Sequence, residues 1–134
     1  MSQIEQKLKE LGYELPIIPA SKGIYKKTVL AGGLLYVSGH ISVNTDGSAI
    51  KGKIGVDLTD EQGYAAARQC GLAILSTLKE QLGDLDKVKR LVKLLGMVNA
   101  RPDYTDHASV MNGCSQLFKD VMGEENGVGV RSAV

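Results

Sequence analysis

The sequence lacks the features of a secreted, disulfide-bonded or membrane-spanning chain. It has only two cysteines, Cys70 and Cys114, and neither belongs to a CxxC pair. In a reducing compartment such thiols stay free, so we predict no disulfide. No apolar run approaches the roughly 18 residues of a membrane span, and the opening MSQIEQKLKE is too polar for a signal peptide. We therefore expect a cytoplasmic protein that does not bind membranes.

An excess of charge of one sign is also missing. Sixteen Lys and Arg residues stand against 15 Asp and Glu residues, which leaves a net charge of +1. This balance removes the electrostatic argument for a dedicated nucleic-acid binder. The only basic cluster, at 87–93, has no aromatic residue within it to stack on a base. The sequence thus argues against nucleic acid as a partner.

The composition that is present is that of an ordinary globular domain. Hydrophobic residues make up 43% and charged residues 23% of the chain, close to the globular average. A length of 134 residues suits one domain, because domains cluster at roughly 100 to 150 residues. We predict a single domain over residues 1–134 with a hydrophobic core.

Local signals in the first half predict a helix, a hairpin and a short strand. Ile4, Leu8 and Leu11 form one apolar stripe on a short helix that Gly12 ends. Two strands within 26–43 are expected to meet at a tight turn over Gly32-Gly33. After the turn signal at 46–47, a short strand is predicted over 48–51.

The second half predicts two long helices that alternate with strands. Thr59 and Gln62 match a capping box, and apolar spacings of three and four continue to a glycine terminator at Gly83. Residues 88–99 are apolar enough for a central strand covered on both faces. Asp103 or Thr105 should cap the second helix, which Gly123 ends. Its predicted buried stripe consists of Ala108, Met111, Cys114 or Ser115, Phe118, Val121 and Met122.

These elements predict an α+β fold that closes with an alternating strand over 126–134. Two long helices cannot cover both faces of a four- or five-stranded sheet. One sheet face is left for a partner, and another subunit is the simplest candidate. We therefore expect an oligomer.

Several residues suggest chemistry, although a structural role explains most of them. Ser38 and His40 are two residues apart on a strand end, where side chains stand about 7 Å apart, too far for a nucleophile and its base. His107 has nearby aspartates, but a first helical turn prefers such residues without any metal. Both cysteines fall on apolar helical stripes, so we predict that they are core residues.

Arg131 is different, because it is the only charge in the terminal strand GVGVRSAV and small residues flank it. An arginine in such a strand needs a carboxylate. That carboxylate belongs either to a ligand or to an internal salt bridge, unless the side chain simply lies on the surface. The residue types leave these alternatives open.

Four segments together resemble the Rid/YjgF family of reactive-intermediate deaminases. They are GIY at 23–25, YVSGHI at 36–41, the asparagine within VMNGCSQLF at 110–118, and VGVRSAV at 128–134. The resemblance spans Gly23 to Val134 in order and spacing, with SGxI and VRSAV the most specific parts. The N-terminal helix lies outside it and suggests a subgroup.

The resemblance implies a chorismate-mutase-like fold, in which two helices pack on one face of a mixed β-sheet, here with an extra short N-terminal helix. It also implies a homotrimer with clefts between subunits. There a 2-imino or 2-enamino acid would be hydrolysed to a 2-keto acid and ammonia without a metal or an organic cofactor.

The resemblance also assigns the site residues. Arg131 would hold the substrate carboxylate, Tyr25 would line the pocket and Asn112 would lie beside it. Ser38, Gly39 and His40 would form its floor. Arg131, Tyr25 and Asn112 are thus the candidate catalytic residues, and Arg131 with residues 38–40 the candidate substrate-binding set.

The chain departs from the family pattern at two points. Many members carry a cysteine two residues after the arginine, where this chain has Ala133. The family also continues into a last strand with a glutamate, whereas this chain stops at Val134. We expect this chain to be incomplete, because stopping there would leave an unpaired sheet edge.

Two other functions remain open. A trimeric binding or regulatory protein could hold a small carboxylate in the same cleft without turnover. RNA cleavage is often attributed to the family, but the neutral charge and the lack of an aromatic platform or a histidine pair argue against it.

Overall fold

The computed structural model describes residues 2–134, which form an α+β fold of three helices and four short strands. In chain order these are α1 (Gln3–Glu10), β1 (Thr28–Ala31), β2 (Leu34–Val37), α2 (Asp60–Leu82), a 3-10 turn (Leu85–Lys87), β3 (Lys93–Gly96), α3 (His107–Gly127) and β4 (Val130–Ala133). The predicted fold class and the extra N-terminal helix are confirmed.

Helix α1 is held at its start by a carboxylate that is distant in sequence. Ser2 Oγ accepts a hydrogen bond from the Glu5 amide at 3.0 Å, as in an ordinary N-cap. Asp86, in the 3-10 turn, accepts two more, from the amides of Gln3 at 2.8 Å and Ile4 at 3.3 Å. Ile4 and Leu8 are buried as predicted, but Leu11 is exposed.

The hairpin and the first long helix form where the local signals predict them. Strands β1 and β2 pair antiparallel, and Gly32 and Gly33 between them have φ of 58° and 78°. Positive φ at both positions is the requirement of a type I′ turn. Thr59 and Gln62 form the reciprocal capping box, at 3.2 and 2.9 Å. Gly83, at φ 79°, ends α2.

Two predicted strands are shorter in the structure. Residues 48–51 contribute only an isolated antiparallel bridge, between Val43 and Ala49. This bridge spans a turn in which the Asp46 carboxylate accepts two hydrogen bonds from Ser48. Of the strand predicted over 88–99, only β3 forms, as a parallel partner of β4. It is covered on one face alone, since Leu95 is exposed while Leu94 is half-buried. The expectation of a strand buried on both faces was wrong.

The second long helix also differs from prediction in its cap and its stripe. It follows Asp106, whose side chain forms no cap, while Asp103 pairs with Arg101 at 3.0 Å. The backbone leaves helical geometry at Gly123, at φ 84°, and one further turn follows. Ala108, predicted to be buried, is exposed. The buried side chains of the helix are Val110, Met111, Cys114, Leu117, Phe118 and Val121.

Helices α2 and α3 pack tightly against each other and cover one face of the strands. A Cβ atom at Gly113 would collide with the backbone carbonyl of Tyr64, so the two helices approach at van der Waals distance. Leu35 and Leu94 turn inward to this core. Strands β1–β2 and β3–β4 form two separate two-stranded sheets within the chain, rather than the one continuous sheet that was expected.

The opposite face of the strands has no cover within the described chain. Leu34, Tyr36, Leu95 and Val130 are all exposed on it, because they alternate with the residues that face the core. We call this surface the open sheet face. None of the helices formed by residues 2–134 is long and apolar enough to cross a membrane.

Candidate functional site

Arg131 lies in β4 with its side chain on the same side as α3. Its Nη1 donates to Asn112 Oδ1 at 2.8 Å and to Ser115 Oγ at 3.0 Å. Its Nη2 donates to the backbone carbonyl of Ala108 at 3.3 Å. Three oxygens of one helix therefore fix the plane of the guanidinium.

The three acceptors come together because of helical spacing. Ala108, Asn112 and Ser115 follow one another at steps of four and three, so they lie on one face of α3. Ala108 and Asn112 are exposed and Ser115 is half-buried, which makes this the edge of the helix beside β4 rather than its core side. Parallel pairing with β3, in which Arg131 is opposite Leu94, holds the strand in place.

All three acceptors are neutral, and no Asp or Glu of residues 2–134 forms an ion pair with Arg131. The internal salt bridge that the sequence left open is therefore absent from the described chain. A guanidinium has five N–H donors, and the three bonds use two on Nη1 and one on Nη2. The donors that remain are Nε and one on Nη2. A side-on pair of this kind matches the two oxygens of a carboxylate.

Ser38 and His40 have structural partners. The Ser38 hydroxyl donates to the Lys26 carbonyl, and no bond joins it to the imidazole. His40 Nδ1 lies 2.7 Å from the Ser38 carbonyl and Nε2 lies 2.8 Å from Thr77 Oγ1. A carbonyl only accepts, so Nδ1 donates to Ser38, while Nε2 forms the second hydrogen bond of the ring with the Thr77 hydroxyl. Thr77 is fully buried, so His40 ties the end of β2 to α2.

Tyr25 lies in the loop before β1 with its ring over Gly23, and it is more than half exposed. Among residues 2–134 no hydrogen bond joins Tyr25, or any of residues 38–40, to Arg131 or Asn112. The structure thus brings Arg131 and Asn112 into direct contact and leaves the other candidate residues on separate loops of the same chain.

The two thiols lie in the packing between these two groups of residues. Cys70 Sγ contacts the His40 carbonyl at 3.9 Å. Burial raises the pKa of Cys70 to about 11. Burial, reinforced by the nearby Cys70, raises the pKa of Cys114 to about 12, against a smaller opposing effect of Arg131. Both cysteines are free, as predicted, and at neutral pH both are protonated and therefore poor nucleophiles.

Sequence reasoning missed Ser115 and the Ala108 carbonyl as partners of Arg131. The signal that could have found them is their spacing from Asn112 on a helix, at one turn on either side. Among residues 2–134 no three His, Cys, Asp or Glu side chains are grouped to hold a metal ion. The aspartates near His107 are engaged elsewhere or exposed, and the His107 ring packs edge-on against Tyr104 at 5.4 Å.

Comparisons with known proteins agree with this architecture. The model of the family described as "YjgF/chorismate mutase-like, putative endoribonuclease" matches residues 5–132. A Trypanosoma cruzi protein named Protein TCP17 is 42% identical over 132 residues, which cover 98% of this chain and 82% of that protein.

Two solved structures are also similar. A protein of unknown function from Agrobacterium tumefaciens is 38% identical with a TM-score of 0.87, and the match covers 98% of this chain and 79% of that one. A protein from Shewanella oneidensis, described as a putative endoribonuclease, is 31% identical with a TM-score of 0.90, and the match covers 96% and 84% of the two chains.

Proposed function

The chain belongs to the YjgF/chorismate mutase-like family, the Rid/YjgF superfamily, and on this basis we propose that it hydrolyses reactive 2-imino and 2-enamino acids to 2-keto acids and ammonia. The observation that carries the proposal is the state of Arg131. Its guanidinium is fixed by three neutral oxygens, has no carboxylate partner in the described chain and keeps two donors free.

The free donors suit the carboxylate shared by all substrates of this class. With the carboxylate bound side-on, the neighbouring imine carbon is held at a fixed position. This carbon is electrophilic, so a water positioned beside it can add. The C–N bond then breaks, ammonia leaves with the protons supplied by water, and the 2-keto acid remains. An enamine reaches the same path after it tautomerises to the imine.

In this proposal Asn112 is a positioning residue that acts through Arg131, together with Ser115. Tyr25 and residues 38–40 line the cleft from a neighbouring subunit, since within one chain they make no bond to Arg131. His40, which is hydrogen-bonded through both ring nitrogens, and the anchored Ser38 form a rigid wall there rather than a nucleophile and base.

A homotrimer would assemble this cleft. Proteins of the family are typically oligomeric, and the open sheet face offers the surface for it. Tyr36, Leu95 and Val130 would otherwise leave a large apolar patch in water, which monomeric proteins rarely tolerate. The small-molecule partner is a 2-imino or 2-keto acid, and the proposed chemistry uses no metal and no organic cofactor.

The same arginine supports one alternative, a trimeric protein that binds a small carboxylate without turnover. RNA cleavage, which the description of the Shewanella protein suggests for that protein, has less support here. Both ring nitrogens of His40 are engaged, and the only other histidine in the sequence, His107, packs on Tyr104. A general acid–base pair of histidines is therefore not available in the chain.

The test is to generate 2-aminoacrylate with a serine dehydratase and follow pyruvate formation. Replacement of Arg131 by Ala removes two charge-assisted bonds to the carboxylate, each about 1.5 to 3 kcal/mol, so kcat/KM should fall at least tenfold. Arg131→Lys should not restore it, because a point charge cannot replace the fork. The control is Arg90→Ala, at an exposed arginine.

The outcomes separate the two functions. Equal acceleration by wild type, Arg131→Ala and Arg131→Lys would make Arg131 structural. No acceleration by wild type, combined with saturable binding of pyruvate that Arg131→Ala abolishes, would favour the binding protein.

A further inference from the structure

A groove lies between the N-terminal half of α2 and the loop that precedes this helix. Its volume is about 410 Å³, within the range of roughly 300 to 1,000 Å³ typical of small-molecule sites. It contains none of the residues around Arg131. Its lining consists of Asn44, Ile50, Leu58, Gln62, Ala65, Ala66, Arg68 and Gln69.

Arg68 is the only charged residue of this lining, and within residues 2–134 it forms neither an ion pair nor a side-chain hydrogen bond. None of the ion pairs formed by residues 2–134 includes it. Its Nε is the one buried side-chain nitrogen or oxygen of that part of the chain without a hydrogen bond. The ring of Tyr13 supports the guanidinium, whose Cζ lies 5.2 Å from the ring centroid.

An arginine with a buried donor and no acceptor costs folding free energy. A buried donor with no acceptor carries a desolvation penalty, and such groups are rare in folded proteins. The stacking on Tyr13 holds the guanidinium but supplies no acceptor. The buried Nε is closed to the groove, but the two Nη groups also lack an acceptor among residues 2–134 and remain accessible. An anion at the groove would bind these Nη groups, and no Asp or Glu of the lining would repel it.

The amide side chains of the groove are already anchored. Gln69 Nε2 donates to the Val43 carbonyl at 2.9 Å, and Asn44 Nδ2 donates to Ser48 Oγ at 3.1 Å. Gln62 Oε1 accepts from Thr59 in the capping box, which leaves its amino group available as a further donor. The remaining wall is aliphatic, from Ile50 to the alanines of α2.

We propose that this groove is a second binding site, separate from Arg131, for a small monocarboxylate with an aliphatic body. Arg68 binds the carboxylate, and Gln62 can add one donor. The aliphatic tail lies along Ile50, Leu58 and Ala65. One cation matches one negative charge, and the apolar wall selects a hydrocarbon chain over a fully polar anion such as inorganic phosphate.

The experiment titrates the full chain with hexanoate and, separately, with inorganic phosphate, and follows backbone amide shifts by NMR. It is run in wild type and in Arg131→Ala, so that binding at the other arginine is removed. The amides of Asn44, Ala65 and Arg68 should shift and saturate in both proteins. Arg68→Gln should weaken hexanoate binding at least tenfold, and Arg90→Gln, the matched exposed control, should leave it unchanged.

A second variant covers the case in which Arg68→Gln fails to fold. Ala65→Leu keeps a strong helix former and fills the aliphatic part of the groove, so it should abolish hexanoate binding at an unchanged melting temperature. No saturable shift with hexanoate, equal affinity in the folded Arg68→Gln or Ala65→Leu variant, or phosphate binding as tight as hexanoate would each overturn the proposal.

Discussion

Replacement of Asn112 tests whether this residue positions Arg131 or contacts the substrate directly. Asn112→Ala removes the Oδ1 acceptor 2.8 Å from Arg131 Nη1 and leaves Ser115 and the Ala108 carbonyl as the remaining partners. A hydrogen bond to a charged group contributes about 1.5 to 3 kcal/mol. Because Asn112 is exposed, water competes and the lower end applies. About 1.5 kcal/mol corresponds to a tenfold loss of kcat/KM.

The assay is pyruvate formation from 2-aminoacrylate by four proteins: wild type, Asn112→Ala, Arg131→Ala and the double variant. If Asn112 acts only through the guanidinium, the double variant should be no slower than Arg131→Ala alone, because two residues acting as a unit are non-additive. Gln116→Ala is the control, since this neighbouring residue of α3 pairs with Asp120 at 2.7 Å instead.

Two outcomes would contradict this role of Asn112, and the double-mutant cycle of the four proteins distinguishes them. A tenfold loss from Asn112→Ala in both backgrounds would mean that Asn112 contacts the substrate itself. No loss in either background would mean that the two other acceptors hold Arg131 sufficiently. Melting temperatures within a few degrees of wild type in all four proteins exclude a loss of fold as the cause.

Three further predictions concern assembly, the thiols and helix packing. The wild-type protein should sediment as a trimer at micromolar concentration. The double variant Tyr36→Glu with Leu95→Glu, on the open sheet face, should sediment as a monomer. A monomeric wild type would remove the basis for a cleft between subunits. Cys70→Ala and Cys114→Ala should each keep turnover and lose about 1 kcal/mol of stability. Alkylation of the folded protein should accelerate only as the pH approaches 11, since the raised pKa values keep both thiols protonated below that pH. Fast alkylation at pH 8, or a variant that is folded but inactive, would contradict this prediction. Gly113→Ala should lower the free energy of unfolding by about 3 kcal/mol, measured by chemical denaturation, because a methyl group there meets the backbone of α2. An unchanged denaturation midpoint would mean that the helices can separate without cost.

The parts of the fold that the sequence predicts well are those set by neighbouring residues. The capping box at Thr59, the two positive φ angles at Gly32 and Gly33, and the terminator at Gly83 each involve contacts within four residues. The length of β3 could not be predicted in this way. It depends on how far β4, more than 30 residues later, runs beside it.

The same limit applies to the site. Arg131 and Asn112 could be singled out through the family resemblance, whereas Ser115 was read as one possible member of a buried stripe. Its contact with Arg131 depends on how α3 is rotated against β4, which residue types do not encode locally. No sequence pattern pointed to Arg68 as a binding residue, because a buried nitrogen without a hydrogen bond depends on packing between distant segments.

The two hydrogen bonds that Asp86 accepts from the first amides of α1 affect the order of folding. A helix of eight residues does not persist alone in water, since isolated helices below about 12 to 15 residues are marginal. The amides of Gln3 and Ile4 therefore gain these acceptors only once Asp86 is placed in its 3-10 turn, which follows α2 in the chain. In a pulse-labelling experiment the amides of α1 should gain protection in the last phase, and in the native protein they should exchange first. The helix that comes first in this sequence is thus the one that folds last.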